Sequence, residues 1–136
     1  MIELNKSRLE LEELIMDRER VKDIIKEWIQ RLNDDEILPT DVVALNFGLY
    51  EPYGIELIGS SNYDEEDDDW ACEEDFVPIE RSCPNLGIDY TYDWEVVLKE
   101  IETILKELVQ ELKDLPLLKV EHITTGFCDG DLIVVK

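Results

Sequence analysis

Two stretches of helical periodicity constrain the fold of this chain most, because each leaves one apolar face that other elements must cover. The first spans roughly residues 7–32, and Ser7 and Glu10 at its start have the spacing of a capping box. An acidic residue at Asp17 leaves open whether this stretch forms one helix or two. Its apolar stripe consists of Leu11, Leu14, Val21, Ile25, Trp28 and Leu32. Further apolar positions predict either a wide core stripe or a dimer contact, at Ile15, Met16, Ile24 and Ile29.

The second helical stretch covers roughly residues 93–115 and has a clear boundary at each end. Asp93 suits the N-cap and Glu95 suits the first turn, whereas Pro116 cannot continue a helix. Its predicted buried face consists of Trp94, Leu98, Ile101, Leu105, Leu108 and Leu112.

Alternating apolar and polar residues predict two β-hairpins. In the first, residues 43–50 and 53–57 alternate on either side of a turn at residues 51–54. In the second, residues 123–127 and 132–135 flank Asp129 and Gly130, a pair favoured in type I′ turns. Alternation of this kind indicates strands with one buried face. A short additional strand near residues 76–79 is left open.

These elements predict a single α+β domain over residues 1–136. Both apolar helix faces are most simply buried when the two helices pack on the same side of a sheet. We therefore expect a two-layer sandwich, in which two long amphipathic helices cover a largely antiparallel sheet of about four strands.

Charge narrows the classes of function. The chain has 136 residues, of which 35 are Asp or Glu and 13 are Lys or Arg, so its formal net charge is −22. This balance argues against contact with a nucleic-acid backbone or an anionic membrane, which both require clustered basic residues. There is no apolar run of about 18 residues and no signal-peptide core, so we expect a cytoplasmic protein.

An irregular acidic stretch, about residues 62–92, separates the first hairpin from the second helix. Nine of the twelve residues from Asp64 to Asp75 are acidic, and we call these twelve residues the acidic segment. The simplest interpretation is a solvated charge run. Carboxylates around an aromatic side chain also suit a basic protein partner. On that hypothesis the partner-binding residues are Tyr63, Asp64, Glu65, Glu66, Asp67, Asp68, Asp69, Trp70, Glu73, Glu74, Asp75 and Phe76. For Trp70 two roles stay open: it anchors a partner, or it packs on the core and pins the loop.

Metal and catalytic motifs are weak. An EF-hand beginning at Asp64 fails because Asp69 stands where glycine is needed and Asp75 stands where glutamate is needed. His122 is the only histidine, and the three cysteines lack zinc-ligand spacing. We therefore predict no catalytic residue, metal or cofactor, and we expect the protein not to be an enzyme. The cysteines are expected to be reduced and in or near the core, with a Cys72–Cys83 disulfide as the minor alternative.

Three segments carry a family resemblance: residues 60–64, 70–76 and 126–132, which read SSNYD, WACEEDF and GFCDGDL. They resemble segments of small bacterial immunity proteins, which are encoded beside the polymorphic toxins of contact-dependent and related secreted systems. The resemblance implies a non-catalytic, cytoplasmic protein that binds and neutralises one cognate toxin. It assigns no individual contact residue, because these families differ in fold and in the toxin that they bind.

Three functions therefore compete on the sequence. The first is an immunity protein for a basic toxin, of which a nuclease is one example. The second is an acidic regulator or DNA mimic that binds a host nucleic-acid-binding protein. The third is a small enzyme that uses a carboxylate or Cys128, for which the sequence suggests no substrate.

Overall fold

The computed structural model describes the backbone of residues 2–136 and the side chains from Arg18 onward. Along the described chain, two α-helices and four strands follow one another in the order α1, β1, β2, α2, β3, β4, which confirms the predicted α+β class. The helices are α1 (Ile2–Asp35) and α2 (Trp94–Glu111); the strands are β1 (Ala44–Tyr50), β2 (Gly54–Ser60), β3 (His122–Phe127) and β4 (Ile133–Val134). Two 3-10 helices complete the fold, at Asp68–Cys72 and Pro116–Lys119. Within the described part of the chain, no helix is long and apolar enough to cross a membrane.

Helix α1 is a single helix that continues through Asp17 and begins before the predicted start at Ser7. The side chains of the predicted capping box, and those of Leu11, Leu14, Ile15 and Met16, lie outside the described residues. The remainder of the predicted stripe is confirmed as buried, at Val21, Ile25, Trp28 and Leu32. Ile29 is buried with it and Ile24 packs against the core, so at these two positions the extra apolar residues widen the core stripe.

Helix α2 begins as predicted, because Asp93 Oδ1 accepts a hydrogen bond from the Glu95 N–H at 2.9 Å. It ends at Glu111, and Pro116 instead opens the second 3-10 helix. The expected burial of Trp94 is wrong, since its side chain is 50% exposed. The buried residues of α2 include Val97, Ile101, Ile104, Leu105 and Leu108. Trp94 shares the helix face of Ile101 and Leu105, so its exposure comes from its position in the first turn, beyond the end of the core.

The sheet has the order β2-β1-β3-β4 and is mixed. The two outer pairs are antiparallel, but the central strands β1 and β3 are parallel, in a register from Ala44↔His122 to Leu49↔Phe127. The prediction of a largely antiparallel sheet is therefore wrong for the central pair, although it holds for the two outer pairs. The chain between β2 and β3 includes α2, and it supplies the long crossover that a parallel pair requires.

Both faces of the sheet are buried, whereas the sequence predicted one. One face belongs to the main core cluster, together with residues of α1 and α2: Leu45, Phe47, Leu49, Ile55, Leu57 and Ile123. The opposite face is also shielded, at Ala44, Asn46, Ser60 and Thr124. Its polar groups are paired, since Thr124 Oγ1 donates to Asn46 Oδ1 at 2.9 Å. These small and polar side chains look like a solvent face in the sequence but allow another segment to approach closely.

The β3–β4 connection departs from the predicted type I′ turn. The Gly130 N–H donates to the Phe127 carbonyl at 3.0 Å, and neither Asp129 nor Gly130 has the positive φ that a type I′ turn requires. The unusual backbone lies one residue before the turn, at Gly126, with φ of 157°. Because the connection extends through Leu132, β4 contains only Ile133 and Val134.

The short strand near residues 76–79 does not form. The chain instead follows the outer edge of β2 through single bridges, Gly59↔Phe76 and Glu56↔Ser82. The N–H groups of Leu57 and Gly59 donate to carbonyls of this segment, which therefore covers an otherwise open sheet edge.

Candidate protein-binding surface

The acidic segment is folded against the sheet. Its 3-10 helix lies on β2, and Asp67 caps this helix by accepting a hydrogen bond from the Asp69 N–H at 3.0 Å. Trp70 is only 4% exposed, yet it lies outside the main core cluster. Its ring is 5.2 Å from that of Tyr63, and the Tyr63 ring stacks on His122 of β3 at 3.7 Å and 6°. The structure therefore favours the second role considered for Trp70, in which it pins the segment to the protein.

Phe76 fixes the other end of the segment. It is 8% exposed, and its backbone exchanges two hydrogen bonds with Gly59 of β2, at 2.8 and 3.0 Å. Two of the three predicted aromatic contact residues, Trp70 and Phe76, therefore face inward. A partner reaches them only if the segment moves.

Several acidic side chains stabilise the segment internally. Asp75 accepts hydrogen bonds from the N–H and Oγ of Ser61, both at 2.9 Å, and these bonds lower the pKa of its carboxyl group. Glu73 accepts from Asn62 Nδ2 at 2.7 Å. Glu74 forms an ion pair with Arg81, and Asp64 accepts from the Glu66 N–H at 2.9 Å. These carboxylates have a structural role besides any contact with a partner.

Other acidic side chains of the segment point outward without an internal partner. Among the described residues, no hydrogen bond or ion pair engages the side chains of Glu65, Glu66 and Asp69, and all three are exposed. These three carboxylates are therefore the ones most available to a basic partner.

The structure adds a second acidic element that the predicted site residues did not include. The Leu132 N–H lies 3.3 Å from its acceptor, Asp68 Oδ2, so the β3–β4 turn sits beside the acidic segment. This turn carries Asp129 and Asp131, both exposed. In the sequence they looked like ordinary turn residues. The available signal was their place in residues 126–132, the third segment of the family resemblance.

The three segments that carry the resemblance therefore gather on one side of the sheet. Residues 60–64 end β2 and lead into the acidic segment, residues 70–76 pack on the sheet, and residues 126–132 meet Asp68. Between residues 37 and 98 the only basic residue is Arg81. Its guanidinium already pairs with Glu56, at 3.3 Å, and with Glu74. The surface consequently keeps a strongly negative charge.

Cysteine and metal chemistry receive little support from the geometry. All three cysteines are free, so the Cys72–Cys83 disulfide is absent. Cys83 alone is buried, and burial raises the pKa of its thiol to about 12; Cys72 and Cys128 are exposed, contrary to the expectation of core positions. Among the side chains that the structure describes, no group of three His, Cys, Asp or Glu could hold a metal ion.

Comparison with known proteins neither supports nor contradicts the predicted resemblance to immunity proteins. Nothing matches this chain among protein-family models, curated proteins or solved structures. The resemblance to immunity proteins therefore stays a prediction from the three sequence segments alone.

Proposed function

We propose that this chain is a non-catalytic, cytoplasmic immunity protein that binds and blocks a cognate basic toxin domain. The observation that carries the proposal is the acidic segment, whose outward carboxylates sit on a loop that Trp70 and Phe76 hold against the sheet. We infer a two-layer arrangement in which the two helices pack on one face of the sheet and the acidic segment lies toward the other face.

A fixed acidic surface suits this role for two physical reasons. Clustered carboxylates raise the rate of encounter with a basic protein and repel acidic ones. A loop that is already ordered loses little conformational entropy when it is bound, so more of the interaction free energy appears as affinity. The acidic segment meets this second condition, because Asp67 caps its 3-10 helix and the adjoining Phe76 is hydrogen-bonded to Gly59.

The test uses the basic terminal domain of a secreted toxin encoded in the neighbouring reading frame. We expect the variant Glu65→Gln/Glu66→Gln/Asp69→Asn to associate with this domain about tenfold more slowly at 20 mM salt, with a smaller difference at 200 mM. Stopped-flow fluorescence or surface plasmon resonance measures both association rates.

A matched control removes the same charge from exposed positions of α1, in Glu19→Gln/Asp23→Asn/Glu27→Gln. An equal slowing by both variants would show that net charge, and not this surface, governs association. Absence of any binding to the toxin domain, combined with capture of a host DNA-binding protein, would favour the regulator or DNA-mimic function instead.

A further inference from the structure

A cleft opens beside the acidic surface, between the first turn of α2 and the β3–β4 turn. Its volume is about 790 Å³, and its apolar wall is formed by Leu49, Tyr50, Trp94, Leu98, Phe127 and Ile133. Two of these residues are large aromatic side chains in contact with solvent, since Trp94 is 50% exposed and Tyr50 is 38% exposed. Neither ring belongs to the main core cluster, so both are available to a partner.

The aromatic rings of this cleft are held in place from within. The buried Tyr53 donates a hydrogen bond through its hydroxyl to the Tyr92 carbonyl, two residues before Trp94. Tyr53 packs edge-on to Phe127 at 6.5 Å, and Phe127 packs edge-on to Trp94 at 6.0 Å and 89°. The Tyr50 ring lies directly over Gly54, where a Cβ atom would come within 2.3 Å of it. The rings are therefore ordered before anything binds.

The rim of the cleft is acidic. Glu51, Asp129 and Asp131 line it, and all three are exposed. Among the described side chains no lysine or arginine lines the cleft. An aromatic wall with carboxylates at its edge complements one side chain best, because a planar guanidinium stacks on an indole face while its N–H groups bind carboxylates.

We propose that this cleft receives an arginine side chain from the protein partner. The inference rests on the proposed function and assigns a different step of binding to each of the two surfaces. The acidic segment accelerates encounter, and the cleft retains the bound arginine and slows dissociation. Trp94, and not the inward-facing Trp70, is then the aromatic anchor of the complex.

The first experiment tests the cleft without any toxin. Acetyl-Gly-Arg-Gly-amide is titrated into the ¹⁵N-labelled protein, with the peptide carrying neutral citrulline in place of arginine as the control. We expect the largest shifts at the Trp94 indole N–H and at the amides of Phe127 and Gly130, and at least threefold smaller shifts with citrulline. Equal shifts from both peptides, or shifts confined to residues 64–69, would overturn the proposal.

Two variants locate the binding energy. Trp94→Ala and Asp129→Asn/Asp131→Asn should each weaken binding of the arginine peptide about fivefold or more, whereas the Glu65→Gln/Glu66→Gln/Asp69→Asn variant should weaken it less than twofold. Circular dichroism confirms the folded state of each variant, and the exposure of all three target side chains favours folding.

The second experiment separates this inference from the proposed function. In the toxin complex, Trp94→Ala should raise the dissociation rate about tenfold and leave the association rate within twofold. Tight toxin binding with an unchanged dissociation rate would refute the cleft as anchor and leave the immunity function standing. Arginine-specific binding in the cleft, with no binding of the toxin domain, would support the cleft and refute the immunity function.

Discussion

At the scale of single residues, Asp75 shows that a surface carboxylate can serve the fold. Hydrogen bonds from Ser61 lower its pKa below the ordinary value of 3.8. A group whose pKa is lower in the folded state stabilises the protein above its unfolded pKa, and this contribution disappears as the pH falls through the folded pKa. We therefore expect Asp75→Asn to be less stable than the parent at pH 7, with the two stabilities converging below about pH 3.8.

Carboxyl chemical shifts followed through a pH titration test the cause directly. Asp75 should titrate below 3.8 in the parent and closer to that value in Ser61→Ala, which lacks one of the two donors. An Asp75 midpoint at or above 3.8 in the parent would contradict the assigned hydrogen bonds.

Gly126 is required by the approach of two backbone segments. Its φ is 157°, and a Cβ atom there would lie 2.8 Å from the carbonyl oxygen of Asp131. Because neither segment is a flexible side chain, Gly126→Ala should lower the free energy of unfolding by about 1–3 kcal/mol. Urea denaturation measures this change.

Gly130→Ala is the matched control for Gly126→Ala. The nearest atom to an added Cβ at Gly130 is the Phe127 oxygen at 3.7 Å, an ordinary contact. Its substitution should change stability by less than about 0.5 kcal/mol. Equal losses at the two glycines would mean that the turn is stabilised by something other than this close approach.

At the scale of elements, the acidic segment owes its order to a small aromatic cluster outside the main core, formed by Trp70, Tyr63 and His122. Truncating Trp70 to alanine removes a buried ring, a change that typically costs about 3–5 kcal/mol in a core. We expect Trp70→Ala to release residues 62–76, with faster hydrogen exchange at the Phe76 and Gly59 amides, which bridge the segment to β2.

Trp94→Ala, at a half-exposed tryptophan, is the matched control for Trp70→Ala. Trp94→Ala should leave exchange at Phe76 and Gly59 unchanged, because Trp94 packs on Phe127, in a different cluster. If Trp70→Ala leaves exchange at these amides slow, the segment is held by its backbone bridges and not by the aromatic cluster.

Elements defined by local pattern were predictable, and elements defined by distant contacts were not. The α2 N-cap at Asp93 and the first hairpin follow from neighbouring residues, and the structure has both. The parallel pairing of β1 with β3 joins residues far apart in the sequence, so no local periodicity encodes it. Asn46 and Thr124 look solvent-facing in the sequence, but both are buried and they hydrogen-bond to each other.

The candidate site was predictable in part for the same reason. Composition alone identifies the acidic segment, since nine of its twelve residues are acidic. Asp129 and Asp131 add to the acidic surface only because Leu132 contacts Asp68, and no sequence pattern indicates that contact. Trp94 was assigned to the buried stripe of α2 because its spacing fits, although the helix begins where the core ends.

At the scale of the whole molecule, a net charge of −22 opposes the compact state through self-repulsion. Salt screens this repulsion, so stability should rise between 20 and 200 mM salt. The Glu65→Gln/Glu66→Gln/Asp69→Asn variant lowers the magnitude of the charge without breaking an internal contact of the described residues. It should be more stable than the parent at low salt, as measured by urea denaturation.

A charge-matched control separates the effect of charge repulsion from that of the internal hydrogen bonds. Asp67→Asn/Glu73→Gln/Asp75→Asn removes the same three charges but also weakens the helix cap and the hydrogen bonds to Asn62 and Ser61. This variant should be less stable than the Glu65→Gln/Glu66→Gln/Asp69→Asn variant. If both variants are stabilised equally, the internal hydrogen bonds of the acidic segment contribute little.

The parallel pairing of β1 with β3 also dictates the order of events during biosynthesis. Asn46 and Thr124, which bond to each other at the centre of the sheet, are 78 residues apart in the chain. The ribosome must release nearly all of that sequence before the central strand finds its second neighbour, so the sheet closes late. Until then β1 and β2 have only α1 to pack on, through contacts such as that of Trp28 with Phe47, and the core residues of α2 and β3 are still missing. Folding should therefore be slow for a chain of this size, and chaperones should meet this protein through its first hairpin.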